Sequence, residues 1–290
     1  VQTIYDEYIL NEIPTHLLHV PTMKLMGRYE VKTHFQPILA KIDREWRTEE
    51  RYDIRRVVRW RAKYAIFSHR WLEAGEPTFQ DVSAGRMSGP GYEKLKKFCK
   101  KATEEFGCDF VWSDTCCINK ESNTEQDEAI RSMFRWYQNS RVCIAYLAGS
   151  STIADFANEE WFRRGWTLQE FLAPQRMKFY GKGWIPFSRD TYDKDSHTEN
   201  GDSAVLVAMS STTGIPIGDL LHFEPGTDRV AEKMSWASTR HTTRIEDVAY
   251  SLIGIFNVSL TTAYGEGDKA FYNLLKAIMQ ESNTLDIFFW

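Results

Sequence analysis

Trp161-Phe-Arg-Arg-Gly-Trp-Thr-Leu-Gln-Glu-Phe-Leu-Ala-Pro174 is the stretch from which the rest of the chain can be read. Taken as a helix, its spacings of three and four put Phe162, Trp166, Gln169 and Ala173 on one stripe. Pro174 ends it, because proline has no N–H to donate and disfavours helical geometry in the residue before it. Glu170 follows Trp166 by one turn, which makes a carboxylate and a large aromatic ring neighbours on a mostly apolar helix. Two accounts fit this pairing. Glu170 is either a solvated acid at the edge of a buried helix or an active-site carboxylate beside a stacking platform. The flanking sequence has to separate them.

Upstream, short apolar runs alternate with helical patterns. Tyr64-Ala-Ile-Phe-Ser68, Asp109-Phe-Val-Trp-Ser-Asp114 and Val142-Cys-Ile-Ala-Tyr-Leu147 read as buried strands, and Met177-Lys-Phe-Tyr180 follows as a fourth. Between them, Tyr92, Leu95, Phe98, Cys99, Ala102 and Phe106 keep helical spacing with lysines mostly on the other face, and Ile130, Met133, Phe134 and Tyr137 do the same in residues 125–139. Strand, helix, strand, helix, strand, helix, strand describes an α/β fold: a parallel sheet with helices on both faces. Ligands in such sheets bind outside the carboxyl ends of the strands. Those ends here carry Ser68, His69, Arg70 and Trp71, then Asp114, Cys116, Cys117 and Asn119.

The flanks are less regular. His16-Leu-Leu-His-Val20 reads as a short strand, and residues 43–63 are charge-rich, with Arg51, Arg55, Arg56, Arg59 and Arg61 on a helix or hairpin arm that reads as a solubilising face in preference to a phosphate-binding patch. Residues 188–202 read as a loop. From about 203 the pattern is wholly helical, including Glu246–Phe256 with Val248, Leu252, Ile255 and Phe256 inward and a last helix over residues 265–281. The expected organisation is an N-terminal extension over 1–63, an α/β core over 64–187 and a helical part over 188–290.

Composition narrows the classes. The 290 residues carry 36 basic and 40 acidic side chains, a net charge of −4, which does not describe a dedicated nucleic-acid binder. No apolar run approaches the roughly 20 residues that span a bilayer, and Val1 opens no leader-like pattern. Five cysteines without a C-x-x-C indicate neither a disulfide framework nor a zinc ribbon, so a reducing, cytoplasmic setting is expected. The dinucleotide, P-loop, H-E-x-x-H and G-x-S-x-G motifs are absent. Tyr264-Gly-Glu-Gly267 reads as a helix-entry turn rather than a phosphate loop.

Ser68-His-Arg-Trp71, Trp112-Ser-Asp-Thr-Cys-Cys-Ile-Asn119 and Arg164-Gly-Trp-Thr-Leu-Gln-Glu-Phe-Leu-Ala-Pro174 resemble the three main motifs of the fungal heterokaryon incompatibility (HET) domain. Ser235-Trp-Ala-Ser, Thr243-Arg-Ile-Glu-Asp-Val-Ala-Tyr-Ser-Leu-Ile-Gly-Ile-Phe256 and Tyr264-Gly-Glu-Gly-Asp-Lys-Ala-Phe271 resemble its tail, so the likeness spans roughly residues 16–290. Lys120 departs from the glutamine usual in the family after Ile-Asn. The resemblance implies a cell-death effector activated by oligomerisation and driven by an upstream sensor or partner domain. HET domains are in turn similar to TIR domains, and Trp166-Thr-Leu-Gln-Glu170 is similar to the TIR stretch whose glutamate cleaves NAD+. That likeness implies a TIR-like, flavodoxin-like core with NAD+ as substrate, no cofactor and no metal, and Glu170 as the catalytic residue.

The chemistry is coherent on its own terms. Nicotinamide–ribose cleavage passes through an oxocarbenium-like state, which a nearby carboxylate stabilises more than it stabilises the ground state. Trp71 or Trp166 could stack on a flat ring, and Arg70 could pair with a pyrophosphate. Ser68, His69, Arg70, Trp71, Asp114, Asn119 and Trp166 are therefore the expected substrate-binding set. Structural roles compete throughout: Trp166 as core, Arg70 paired with Asp114 or Glu170, His69 as a hydrogen-bonded structural histidine, Asp114 as a turn cap. Cys116 and Cys117 with His69 raise a thiol hydrolase. A signalling module that kills by assembly without chemistry is the principal alternative, and a nuclease a third.

Overall fold

In the structure, a computed structural model, residues 2–45, 54–197 and 203–282 are described, with the backbone alone for 39–45. Seven strands line up in one sheet: β1 (His16–His19), β2 (Lys24–Gly27), β3 (Ala65–His69), β4 (Phe110–Trp112), β5 (Val142–Tyr146), β6 (Arg176–Tyr180) and β7 (Lys194–Asp195), in the order β2-β1-β4-β3-β5-β6-β7. β3 and β4 pair in parallel, Ala65 opposite Val111, and the sheet is mostly parallel. Its margins are antiparallel: β1 with β2 and β4, and β6 with β7. Counted from β3, the strands β4-β3-β5-β6 run second, first, third, fourth, the order of a flavodoxin-like sheet. The winding therefore reverses beside β3, and in such folds that is where a ligand site forms.

By compactness the chain divides into two units. The first comprises Val1–Phe67, Trp71–Gln126 and Asn139–Ile144. Within it, Leu17, Leu18, Phe98, Phe110 and Val111 are buried, and Phe67 stacks on Phe98 at 4.3 Å between ring centroids. The expected helix runs Pro90–Phe106. Proline sits in its first turn, where its missing N–H costs nothing, and Gly107 closes it at φ 61°. The arginine-rich segment is a helix over Ile54–Arg61, buried through Val58 and exposed at Arg55, Arg56 and Arg61. Arg51 lies outside the described residues.

The second unit comprises Ser68–Arg70, Asp127–Gln138 and Ala145–Trp290. Three of its segments differ from the elements expected of them. The 161–173 stretch is not one helix. A 3-10 turn over Glu160–Arg163 gives way to a helix over Thr167–Leu172 alone. Arg164 between them bridges to His241, and a Cβ at Gly165 would lie 2.5 Å from Thr242 Cγ2. The close approach of a distant segment thus breaks a regular apolar period. The 188–202 loop contains β7, because Lys178 and Asp193 pair at 3.3 Å with both side chains nearly fully buried. Residues 198–202 of that stretch lie outside the described residues. Finally, Glu246–Phe256 splits into short helices over Asp247–Tyr250 and Ile253–Phe256, and Val248 faces out at 40% exposure. Gly254 is required in the second: its Cβ would stand 2.2 Å from Phe134 Cβ.

Among the described residues, no helix is long and apolar enough to cross a membrane.

Candidate functional site

β3 is buried along its whole length and ends in Ser68 and His69, so its carboxyl end delivers polar groups into a dry environment. A buried polar side chain there has to find partners. Ser68 Oγ donates to Glu170 Oε2 at 2.5 Å and accepts the indole N–H of Trp161 at 2.8 Å. Trp161 and Ser68 are wholly buried and Glu170 is 6% exposed. The sequence places these residues about a hundred positions apart, and the fold joins two of the motifs at one carboxylate. Glu170 is therefore neither in bulk water nor left to chance: the charge-assisted bond from Ser68 fixes one of its oxygens.

The helix that carries Glu170 is held at both ends. At its start, Thr167 Oγ1 donates to Arg164 O at 2.9 Å, and Arg240 Nη1 donates to Arg164 O at 3.1 Å and to Thr167 Oγ1 at 3.0 Å. At its end, the buried Lys194 Nζ donates to Phe171 O at 2.6 Å and Leu172 O at 3.0 Å, satisfying carbonyls that a helix terminus leaves open. Trp166 is half-buried; Asp247, whose ionised form the Trp166 indole favours against the penalty of burial, accepts from Tyr264 Oη at 2.9 Å. Glu246 in turn accepts the N–H groups of Gly265 at 2.8 Å and Gly267 at 3.1 Å, and Tyr250 Oη donates to Glu266 at 2.8 Å. The Tyr264–Gly267 turn is thus a receptacle for a carboxylate of this same chain.

His69 is buried, its Nδ1 3.2 Å from Arg70 O, and Arg70 is exposed. In the first unit, Trp71 is 39% exposed and donates to Asp114 Oδ2 at 2.8 Å, while Lys120 Nζ sits 3.8 Å from the centre of its ring. Desolvation lowers the Lys120 pKa against the pull of Asp114. Asn119 is engaged in its own turn: Oδ1 accepts from Gln80 Nε2 at 2.9 Å and Glu121 N at 3.2 Å, and its N–H donates to Glu125 at 3.1 Å. Of the expected set, Ser68 joins Glu170, and Trp71 joins Asp114.

Cys116 and Cys117 are wholly buried, with sulfurs 3.9 Å apart. The neighbouring thiol and burial push the Cys116 pKa well up, the opposite of what a nucleophilic thiol needs. Among the described residues, no group of three or more His, Cys, Asp or Glu could hold a metal ion.

Three contributors escaped the sequence reading. Trp161 was visible only as the first letter of the motif. Arg240 lies between two tail motifs with no periodic signal, and Lys194 lies in a stretch read as loop.

Residues 64–155 match the family model described as heterokaryon incompatibility protein (HET). The chain is similar to the vegetative incompatibility protein HET-E-1 of Podospora anserina, with 41% identity over 238 residues; the match takes in 77% of this chain and 16% of that protein. The chain thus spans about a sixth of that relative's length. No solved structure matches it.

Proposed function

Since the chain belongs to the heterokaryon incompatibility (HET) family, we propose that it is the death-triggering module of a larger incompatibility protein and that it acts by cleaving NAD+, with Glu170 as the essential carboxylate. The observation that carries this reading is the Ser68–Glu170 contact of 2.5 Å. It puts an oriented, nearly buried acid at the end of β3, beside the point where the sheet's winding reverses. A carboxylate held in a low-dielectric setting stabilises a developing cation far more than one in water.

In the reaction, the bond between nicotinamide nitrogen and ribose C1′ breaks, and its electron pair leaves with neutral nicotinamide. Positive charge spreads over C1′ and the ring oxygen, where Glu170 opposes it. Water adds to C1′ and loses a proton to solvent, giving ADP-ribose; capture by a nucleophile of the same molecule gives a cyclic product. No cofactor is needed, because nicotinamide is a good leaving group. The module works as a homo-oligomer in the cytoplasm, downstream of a sensor domain in the longer protein.

The test is nicotinamide release from NAD+ by purified protein across a range of protein concentrations, with Glu170→Gln as the control. Release that rises with concentration and vanishes in Glu170→Gln is expected. Undiminished release in Glu170→Gln would remove Glu170 from the chemistry.

A second reading draws on the same contact. If Ser68–Glu170 serves only to tie β3 to the Thr167–Leu172 helix, the module kills by assembly and recruitment, with Arg55, Arg56 and Arg61 as exposed recognition charges. It predicts that Glu170→Gln still kills, and that reversing those arginines does not.

A further inference from the structure

We infer that Arg240 is the anion-recognising residue of the Glu170 site, and that its ligand is a phosphate-bearing nucleotide whose phosphate oxygen is held on Nη2 while the attached sugar faces Glu170. The inference rests on the reading of Glu170 given above and adds the group that selects the substrate.

Three hydrogen bonds fix the guanidinium. Nε donates to Trp236 O at 3.2 Å, and Nη1 uses both its N–H groups on Arg164 O and Thr167 Oγ1. Nη2 is left with both N–H groups lacking an acceptor among the described residues, on a side chain that is only half-buried. All three acceptors are neutral, and among the described residues no carboxylate lies within ion-pair distance of Arg240. Thr167 precedes Glu170 by three positions in one helix, so the two side chains stand on one face, and Arg240 is bonded to the first of them. Glu170 is felt electrostatically at Arg240, where burial lowers the pKa to about 10 against its pull; the group stays cationic at neutral pH.

A guanidinium that is immobilised through one edge, open at the other and served only by neutral acceptors is pre-organised for an anion. Glu170 does not supply that anion by direct contact; one of its oxygens is spent on Ser68. The arrangement offers a positive and a negative group on one helix face. That suits a molecule whose phosphate and incipient cation belong to the same sugar. A nucleoside without phosphate leaves Nη2 unpaired.

Binding is measured calorimetrically on the full 290-residue chain carrying Glu170→Gln, so that turnover does not interfere. The probes are ADP-ribose, inorganic pyrophosphate and adenosine. Adenosine should bind about ten- to a hundredfold more weakly than ADP-ribose, the worth of charge-assisted hydrogen bonds. Pyrophosphate should compete with ADP-ribose, and added salt should weaken ADP-ribose and not adenosine. Arg240→Gln, which keeps a neutral NH2 group and removes the charge, should bring ADP-ribose down to the adenosine level. Equal binding of ADP-ribose and adenosine, no binding of ADP-ribose, or ADP-ribose affinity unchanged in Arg240→Gln each overturns the inference. The first two are read on a chain with Arg240 unaltered, so they refute the inference whether or not the Arg240 variant folds. Phosphate-dependent binding through Arg240, with no nicotinamide release by the unaltered chain, would defeat the catalytic reading and leave this one intact.

Discussion

Removing the Ser68 hydroxyl should cost more than one hydrogen bond, because Ser68 serves two buried partners at once. In Ser68→Ala the Trp161 indole N–H, wholly buried, loses its acceptor at 2.8 Å. An orphaned buried donor costs about 1–3 kcal/mol. Glu170 also loses the donor at 2.5 Å, and hydrogen bonds to charged groups are worth about 1.5–3 kcal/mol. Ser68→Ala should therefore destabilise the protein by about 3–5 kcal/mol, well above the typical cost of a point substitution. Trp161→Phe removes the donor outright, leaves the Ser68–Glu170 bond in place, and costs about 1–3 kcal/mol through lost packing. The double variant is the informative one. With phenylalanine at 161 there is no donor to orphan, so the two costs should fall short of adding by about 1–2 kcal/mol. Urea unfolding followed by circular dichroism, with midpoints compared at unchanged slope, reads all three differences. Costs that add to within about 0.5 kcal/mol would refute the shared-hydroxyl reasoning, as would Ser68→Ala with an unshifted midpoint.

Gly254→Ala should lose about 2–3 kcal/mol of stability, because the new methyl meets Phe134 Cβ at 2.2 Å, an atom that moves only with its helix; an unchanged melting temperature would contradict this. The ionised form of Asp193 is penalised by burial, which raises its pKa despite Lys178 and Ser188. The folded state therefore binds that proton more tightly, and stability falls as pH climbs from the ordinary aspartate value of about 4 toward the raised one. Asp193→Asn should make that decline shallower in unfolding midpoints taken between about pH 4 and 7, and an unaltered slope would count against it. All five cysteines are buried, so the native protein should resist a thiol reagent that modifies the urea-unfolded chain completely. Rapid native labelling of Cys116 would reopen the thiol mechanism.

What could be read in the sequence follows from which forces are local. The strands at 65–69 and 142–146 were legible through the apolar runs Ala65–Phe67 and Val142–Tyr146 that burial on both faces demands, and the strand at 176–180 through Met177, Phe179 and Tyr180 despite the buried Lys178 between them. β2 was not, since Lys24–Gly27 is an edge strand with no buried residue. The helix Lys269–Glu281 showed itself through Ala270, Leu274 and Ile278, the residues it buries. The 161–173 period was real as burial, with Phe162, Gln169 and Ala173 all inside, and misleading as conformation: His241 and Thr242, some eighty residues on, decide the backbone at Arg164 and Gly165. Glu170 stood out by its neighbours in the chain. Its partner Ser68 could be placed near a ligand site by strand logic. Arg240 could not, because nothing local distinguishes an arginine that will reach back to Thr167.

The ties from Arg240 to Arg164 and Thr167, from Asp247 to Tyr264 and from Glu246 to Gly265 and Gly267 set a lower bound on what can be inherited as a piece. A gene fusion that borrowed only the stretch up to Pro174 would carry the acidic residue and leave behind the fittings that seat its helix. Recombination between modular proteins should therefore cut beyond Asn273, whose amide steadies Glu266 at 3.0 Å, and a shortened clone ending earlier should yield insoluble material.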